Sequence, residues 1–556
     1  MFIKFFKQFY FFSLLILLPA VVLCEYFAKF SPEFGRAGMI IWYLLLVFLF
    51  GFAVYCFYFL IKIQVKNRCY ISLLAIILFM ALLTTNISDL RNLSGETTQE
   101  TTCILKQISD SPSAGFNSLC FLGYPAKQFY FSALPTLLFG RTIFSLNSGG
   151  SLYFLLGIVV FLAGIFKRFI NNPKSAEIIT VFSLAIPLHF YYFNYLLGNF
   201  EQSFFPVSLG FLLAGSYLFF LEKRENYLML LMAFILLILI NTYTTGLALV
   251  LLALMVGIYE LLKEKQDRKM LLMLMLFALI FIDFYLSLQY RLDLRLQIES
   301  TEQNPIKDQL VKGFQILTTQ TGGQPYFSFI LFPVFWMLTA VLIFGPFKRS
   351  VLFVLIWVFG VFTAAIIFAG YATPSVDYSL HRAIIIVPIL LTTVILGYKK
   401  PWEFKNKVHK AAIFFGVFLL ITGIINNLEV LRSREISKYF DFSIIISWLK
   451  NKIPDSSGNL NTAMPFYFSV PESEKYLNFK DFASYFYPNF NFNYSKQVCD
   501  FTLNNSTDSY FLITEEVLES KCLQGINENL VDLGNFQDKE KVILNLYLLP
   551  ADSKKF

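Results

Sequence analysis

Residues Gly38 to Ile61 read GMIIWYLLLVFLFGFAVYCFYFLI, a stretch without one charged side chain. A helix crossing a hydrocarbon core about 30 Å thick needs about 20 such residues, so this run decides the fold class. The chain repeats the pattern at 9–28, 69–86, 151–166, 176–196, 204–221, 227–241, 246–262, 270–289, 327–346, 350–369, 382–398 and 411–427. That makes roughly thirteen transmembrane helices. With 56% hydrophobic and 15% charged residues, the chain carries more apolar surface than a water-soluble core can hide. The first run follows Lys4 and Lys7 and has no small-x-small cleavage site, so it reads as an uncleaved helix.

The net charge of +8 invites a nucleic-acid reading, but the placement of the cations argues for membrane topology instead. Lys62/Lys66/Arg68, Lys167/Arg168/Lys174, Lys223/Arg224, Lys263 to Lys269, Lys348/Arg349 and Lys399 to Lys410 join Lys4/Lys7 on one side of the alternating path. Cytoplasmic loops are basic in this way. The N terminus is therefore expected in the cytoplasm, in a bacterial inner membrane. Basic residues flank both ends of 227–262, and the polar stretch Asn241 to Gly246 divides it, which predicts two short helices. The fold class is an all-α polytopic membrane domain, 1–427, followed by a small extracytoplasmic α/β or α+β domain, 428–556. Outer loops are expected at 87–150 and 290–326. In the tail a helix is predicted over Phe442–Lys450, and strands over Ser509–Thr514 and Lys541–Leu549.

Cys24, Cys56 and Cys69 lie in or beside apolar runs and read as packing residues. Cys103 and Cys120 share the first outer loop, and Cys499 and Cys522 share the tail, which suggests two disulfides in an oxidising compartment. Four free thiols are the alternative.

Polar residues at a membrane boundary are functional candidates because lipid makes them costly. The third run leaves the bilayer as Asn86-Ile87-Ser88-Asp89-Leu90-Arg91. A carboxylate at Asp89 can act as a general base on an acceptor hydroxyl or amine, or can bind a divalent cation; a solvated loop acid is the plain alternative. After Gly123-Tyr124-Pro125 comes Phe129 to Phe139, too short to span and interrupted by Pro135, which reads as an interfacial helix. Arg291, Asp293 and Arg295 follow a span containing Asp283. The arginines suit either a lipid-linked phosphate or membrane headgroups, and Asp283 reads as a partly solvated helix-end residue. His189, inside an apolar run, reads as a hydrogen-bonded core residue.

The layout resembles the GT-C glycosyltransferases, polytopic enzymes that include the protein O-mannosyltransferases and the aminoarabinose transferases of lipid A. The resemblance rests on Asp89 after an early span, Tyr124-Pro125 about thirty-five residues later, and Leu138-Phe139-Gly140 before the next span. It covers most of the membrane part and lies in layout rather than in a strict motif. It implies transfer of a sugar from a polyprenyl-phosphate donor to a lipid, glycan or protein acceptor at the extracytoplasmic face. It also implies that Asp89 is the catalytic or metal-binding acid, with Glu201 a second acid for substrate or metal. Tyr124 is carried over as a substrate-binding candidate. His381 and Arg382, ahead of Pro388, match the start of a late helix where a cation holds the lipid phosphate, with Arg291 and Arg295 as further candidates. Mg or Mn is the one cofactor implied. Membrane lipids are partners, and nucleic acid is not. The chain departs from the family in having Leu90 beside Asp89, two spans ahead of the one that opens the catalytic loop, and Thr244-Thr245 where a Lys is common.

Two other classes compete. A surface-polysaccharide polymerase or ligase also has many spans, but places its large loop between spans. A transporter or flippase would show internal repeats and mid-membrane charges, and the sequence offers no clear repeat.

Overall fold

The computed structural model describes residues 2–28, 30–88, 102, 105, 119–120, 124–125, 127–188, 205–242, 244–288, 386–397, 406–433, 445–446, 448–453, 458–463, 483–495, 508–513, 527–537 and 543–550. The chain forms two compact units. The first comprises Met1–Ile87, Ile104–Leu134 and Asn147–Ser433; the second comprises Ser88–Cys103, Pro135–Leu146 and Arg434–Phe556.

The first unit is helical: α1 (Phe2–Phe27), α2 (Pro32–Lys66), α3 (Tyr70–Ser88), most of α4 (Lys127–Phe139) and α5 (Ile143–Arg168), then α6 (Pro173–Leu188), α7 (Phe205–Lys223), α8 (Asn226–Ile240), α9 (Thr244–Lys263), α10 (Asp267–Leu288), α11 (Ile386–Gly397) and α12 (Asn406–Ser433). Among the described residues, four helices are long and apolar enough to cross a membrane: Lys7–Phe27, Glu33–Lys66, Phe205–Lys223 and Asp267–Ser287. Shorter apolar helices cover Tyr70–Thr84, Asn226–Ile240 and Lys410–Ile425. The expected runs 327–346 and 350–369 lie outside the described residues. The predicted pair over 227–262 is present as α8 and α9, with Asn241 and Thr242 in the turn between them.

Exposure separates the roles of the helices. Ile16, Val47, Val54, Leu251 and Phe414 are exposed on their helices, surfaces that water would penalise and lipid solvates. α8 is apolar on all sides instead: from Leu228 to Ile240 every residue but Met232 is buried. A helix hydrophobic all round belongs at the centre of a bundle, and α8 packs against α1, α7, α9 and α10.

Between apolar helices in lipid no hydrophobic force favours contact, so small residues that admit close backbone approach decide which helices touch. Gly157 and Gly164 of α5 meet Ser208 and Gly215 of α7, each pair spaced by seven residues. A methyl group at Gly157 would stand 2.3 Å from the Ser208 carbonyl oxygen, and one at Gly215 would stand 2.6 Å from the α5 backbone at Val160 and Phe161.

The second unit contains the tail sheet, in strand order β4-β3-β5-β7-β6, built from β3 (Gly458–Ala463), β4 (Phe490–Ser495), β5 (Ser509–Ile513), β6 (Val531–Gln537) and β7 (Ile543–Leu549). β3 runs parallel to β4 and β5, and β7 runs antiparallel to β5 and β6. The central strand β5 is buried at every position, as expected of a strand covered on both faces. The predicted strands over 509–514 and 541–549 correspond to β5 and β7. Within the predicted helix over 442–450, residues 445–446 and 448–450 are helical.

Placing a side chain at Gly215 must push α5 and α7 apart. Gly215→Leu should lower the stability of the detergent-solubilised chain by about 1–3 kcal/mol, the usual cost of overpacking. Ala278→Leu, on an exposed face of α10, should leave it unchanged; thermal unfolding of the two variants checks this.

Candidate active site

α3 frames the expected site. Its N-terminal turn is held by a carboxylate from α6: Glu177 accepts the backbone N–H groups of Ile71 and Ser72, at 3.2 and 3.4 Å. These are donors that a helix start leaves unpaired. Ser72 Oγ also accepts from Gln64 Nε2 of α2 at 3.0 Å. From this anchored end, the 19 residues of α3 extend about 28 Å at 1.5 Å per residue, close to a hydrocarbon thickness. The helix ends at Ser88, and Asp89 is the next residue of the chain.

Asp89, Glu201, His381, Arg382, Arg291, Arg295, Cys103, Cys499 and Cys522 lie outside the described residues, as does His189. Tyr124 and Cys120 stand opposite one another in a two-stranded antiparallel ladder, β1 (Leu119–Cys120) with β2 (Tyr124–Pro125). The free cysteines Cys24, Cys56 and Cys69 are half-buried or buried, in keeping with packing roles.

A polar cluster that the sequence reading missed lies within the second unit. α4 ends before Gly140, whose φ of +78° suits a glycine, and Thr142 starts α5. Thr142 Oγ1 accepts the Ser145 N–H at 3.1 Å while Ser145 Oγ accepts the Thr142 N–H at 3.0 Å. This reciprocal cap is readable in advance from Thr142-Ile143-Phe144-Ser145 as a Thr-x-x-Ser variant of the capping box. Tyr485 of the tail closes over it. Its fully buried hydroxyl lies 2.8 Å from Thr136 Oγ1 and 2.9 Å from Ser145 Oγ. Arg141 Nη1 donates to the Tyr485 carbonyl at 2.9 Å, its guanidinium lies over the Tyr485 ring, and Lys450 Nζ donates to the Arg141 carbonyl at 3.3 Å. Burial pushes the Tyr485 phenol above its usual pKa, against the opposing pull of its hydrogen bonds to Ser145 and Thr136. It is a neutral donor and acceptor at any physiological pH. Burial also lowers the Arg141 pKa, a shift that the neighbouring Tyr485 opposes.

The expectation of a partly solvated Asp283 does not hold. Asp283 is buried and accepts a hydrogen bond from Asn241 Nδ2 at 2.9 Å, while the same amide donates to the Leu237 carbonyl at 2.8 Å. The turn between α8 and α9 supplies a polar partner that lipid cannot, and this lets the acid sit inside the bundle. A reading of one span at a time misses a partner 42 positions away.

Tyr485→Phe removes the group that the Thr136 and Ser145 hydroxyls share. Losing a buried hydrogen bond costs about 1 kcal/mol or more, so backbone amides 142–146 should exchange with deuterium about five- to tenfold faster, while those of β5 keep their protection. Hydrogen-exchange mass spectrometry on the full chain checks this.

No protein-family model and no curated protein matches the chain. Among solved structures it is similar to the crystal structure of ArnT from Cupriavidus metallidurans in the apo state, with a TM-score of 0.46 and 10% identity, covering 86% of this chain and 98% of that one. It is also similar to ArnT from the same organism bound to undecaprenyl phosphate, with a TM-score of 0.44 and 10% identity, covering 85% and 97%.

Proposed function

We propose that the chain is a GT-C-type membrane glycosyltransferase that moves a sugar from a polyprenyl-phosphate donor to an acceptor at the extracytoplasmic membrane face. One observation carries the reading: the order of elements from residue 70 to 168. A membrane-length helix stops directly before Asp89, the Tyr124-Pro125 pair lies on a short ladder, a Pro135-containing helix follows, and Gly140 turns the chain into a second long helix. This is the layout on which the resemblance rests. A lipid-linked donor also needs no nucleotide-binding domain, and the sequence carries no dinucleotide or phosphate-binding glycine motif.

In the proposed reaction the acceptor oxygen or nitrogen attacks C1 of the sugar and the bond from C1 to the phosphate oxygen breaks. The acceptor proton passes to the Asp89 carboxylate, and polyprenyl phosphate leaves with the bonding electrons. Arg382, assisted by His381, neutralises that phosphate; a guanidinium is suited to this because it donates two parallel hydrogen bonds. Arg291 and Arg295 are placed by sequence to hold the lipid headgroup, and Tyr124 to border the sugar. Asp89 and Glu201 offer hard carboxylate oxygens of the kind Mg or Mn prefers, and such an ion would supply charge neutralisation to the leaving phosphate. The tail is proposed as extracytoplasmic, with disulfides Cys103–Cys120 and Cys499–Cys522.

Undecaprenyl-phosphate sugars are the donors to try first, since undecaprenyl phosphate is the ligand of one of the similar structures. In membranes carrying equal amounts of folded protein, Asp89→Asn should lower donor turnover by about 10²–10⁴-fold, the worth of a general base. Arg382→Gln should lower kcat/KM by about ten- to a hundredfold, the worth of charged hydrogen bonds. Undiminished turnover in Asp89→Asn, read by mass spectrometry of the lipid, removes Asp89 from the chemistry.

A further inference from the structure

Five helices of the first unit, α7 to α11, line a partly open cavity of about 160 Å³. Protein interiors seldom keep voids larger than a water molecule, and an apolar space stays dry and can take up an apolar guest. Its wall is aliphatic and aromatic apart from Tyr217, Glu260 and Thr392. Met229, Met232 and Met273 contribute flexible side chains that adjust to an irregular guest. Ala214 and Ala253 contribute small side chains to the wall, while Gly210 and Gly257 admit the close approach of Leu249, Pro388 and Phe277.

One end of the cavity is polar and basic. Both oxygens of buried Glu260 are engaged, Oε1 by the Tyr217 hydroxyl at 3.0 Å and Oε2 by the Arg224 guanidinium. Arg224, in the left-handed conformation just past the end of α7, lies over the Phe220 ring that also lines the cavity. Its side chain is 36% exposed, so guanidinium N–H groups not used by Glu260 face outward. Lys263 lies one turn beyond Glu260, over the Tyr259 ring. Of the other acids at these helix ends, Glu222 pairs with Arg168, Glu225 pairs with Lys7, Glu264 accepts the N–H groups of Lys265 and Gln266, and Asp267 opens α10. Lys223 and Lys263 have no ion pair among the described residues, and Lys223 stands beside Lys167. Burial first, and then this neighbouring ammonium, lower the Lys167 pKa. The rim thus carries positive charge in excess next to a hydrocarbon-lined slot.

We propose that the cavity binds one acyl chain of an anionic phospholipid of the surrounding bilayer, with its phosphate held by Arg224 and Lys263. The site sits at the membrane end bearing the basic clusters, the end opposite the one expected to carry Asp89, so it is separate from the proposed transfer chemistry and does not depend on it.

The test is native mass spectrometry of the full chain in mild detergent. The probes are phosphatidylglycerol, phosphatidylcholine with the same acyl chains, and undecaprenyl phosphate. The wild type should retain one phosphatidylglycerol in preference to phosphatidylcholine. Ala253→Phe, which fills the slot, should lower that retention at least tenfold. Lys263→Gln, which leaves the cavity intact and disturbs no ion pair, should lower it about fivefold, the value of one basic residue near a lipid phosphate. Equal retention of phosphatidylcholine, unchanged retention in both variants, or displacement of phosphatidylglycerol by undecaprenyl phosphate overturns the assignment.

Discussion

Hydrocarbon offers no hydrogen bonds, and every backbone N–H and C=O group that a chain carries into the bilayer has to find its partner within the protein. The helices satisfy their own backbones. The buried acids inside them show how the remaining demand is met. Glu260 is held by Tyr217 and Arg224, Asp283 by the amide of Asn241, and Glu177 by the backbone N–H groups that begin α3. Each arrangement ties together helices that have no hydrophobic reason to associate. Glu260 links α9 to α7, Asp283 links α10 to the turn after α8, and Glu177 links α6 to α3. The bundle is sorted by polar partners and by close glycine contacts, while its apolar surface is left to the lipid.

This sorting bears on function through position. Held at its start by Glu177, α3 ends at Ser88, directly before the catalytic candidate Asp89 in the chain. Within the second unit, Tyr485 of the tail hydrogen-bonds Thr136 and Ser145 at the entry to α5.

Much of the fold was legible because lipid makes the code simple: long apolar runs, basic residues between them, and a polar break whose Asn241 and Thr242 form the turn between α8 and α9. The tail strands at β5 and β7 were legible as short strand-like segments among polar and aromatic residues. β3, with Asn459, Asn461 and Thr462 buried or paired in the sheet, offered no such signal. The polar network around Tyr485 was hidden because its members are separated by more than 300 positions, although the Thr142/Ser145 cap within it is a local motif. Asp283 was misread for the same reason: the residue that makes its burial tolerable lies on another helix. The catalytic candidates stand on the resemblance and on the elements flanking them.

The most direct test of the account is donor consumption by the wild-type protein. Membranes from cells with and without the chain would be incubated with a panel of undecaprenyl-phosphate sugars, and the released lipid phosphate measured by mass spectrometry. The account predicts that one donor is converted to free undecaprenyl phosphate only where the chain is present, with its sugar recovered on an acceptor. A folded, abundant chain that consumes none of the panel would contradict it and leave a transporter or a binding protein as the better description.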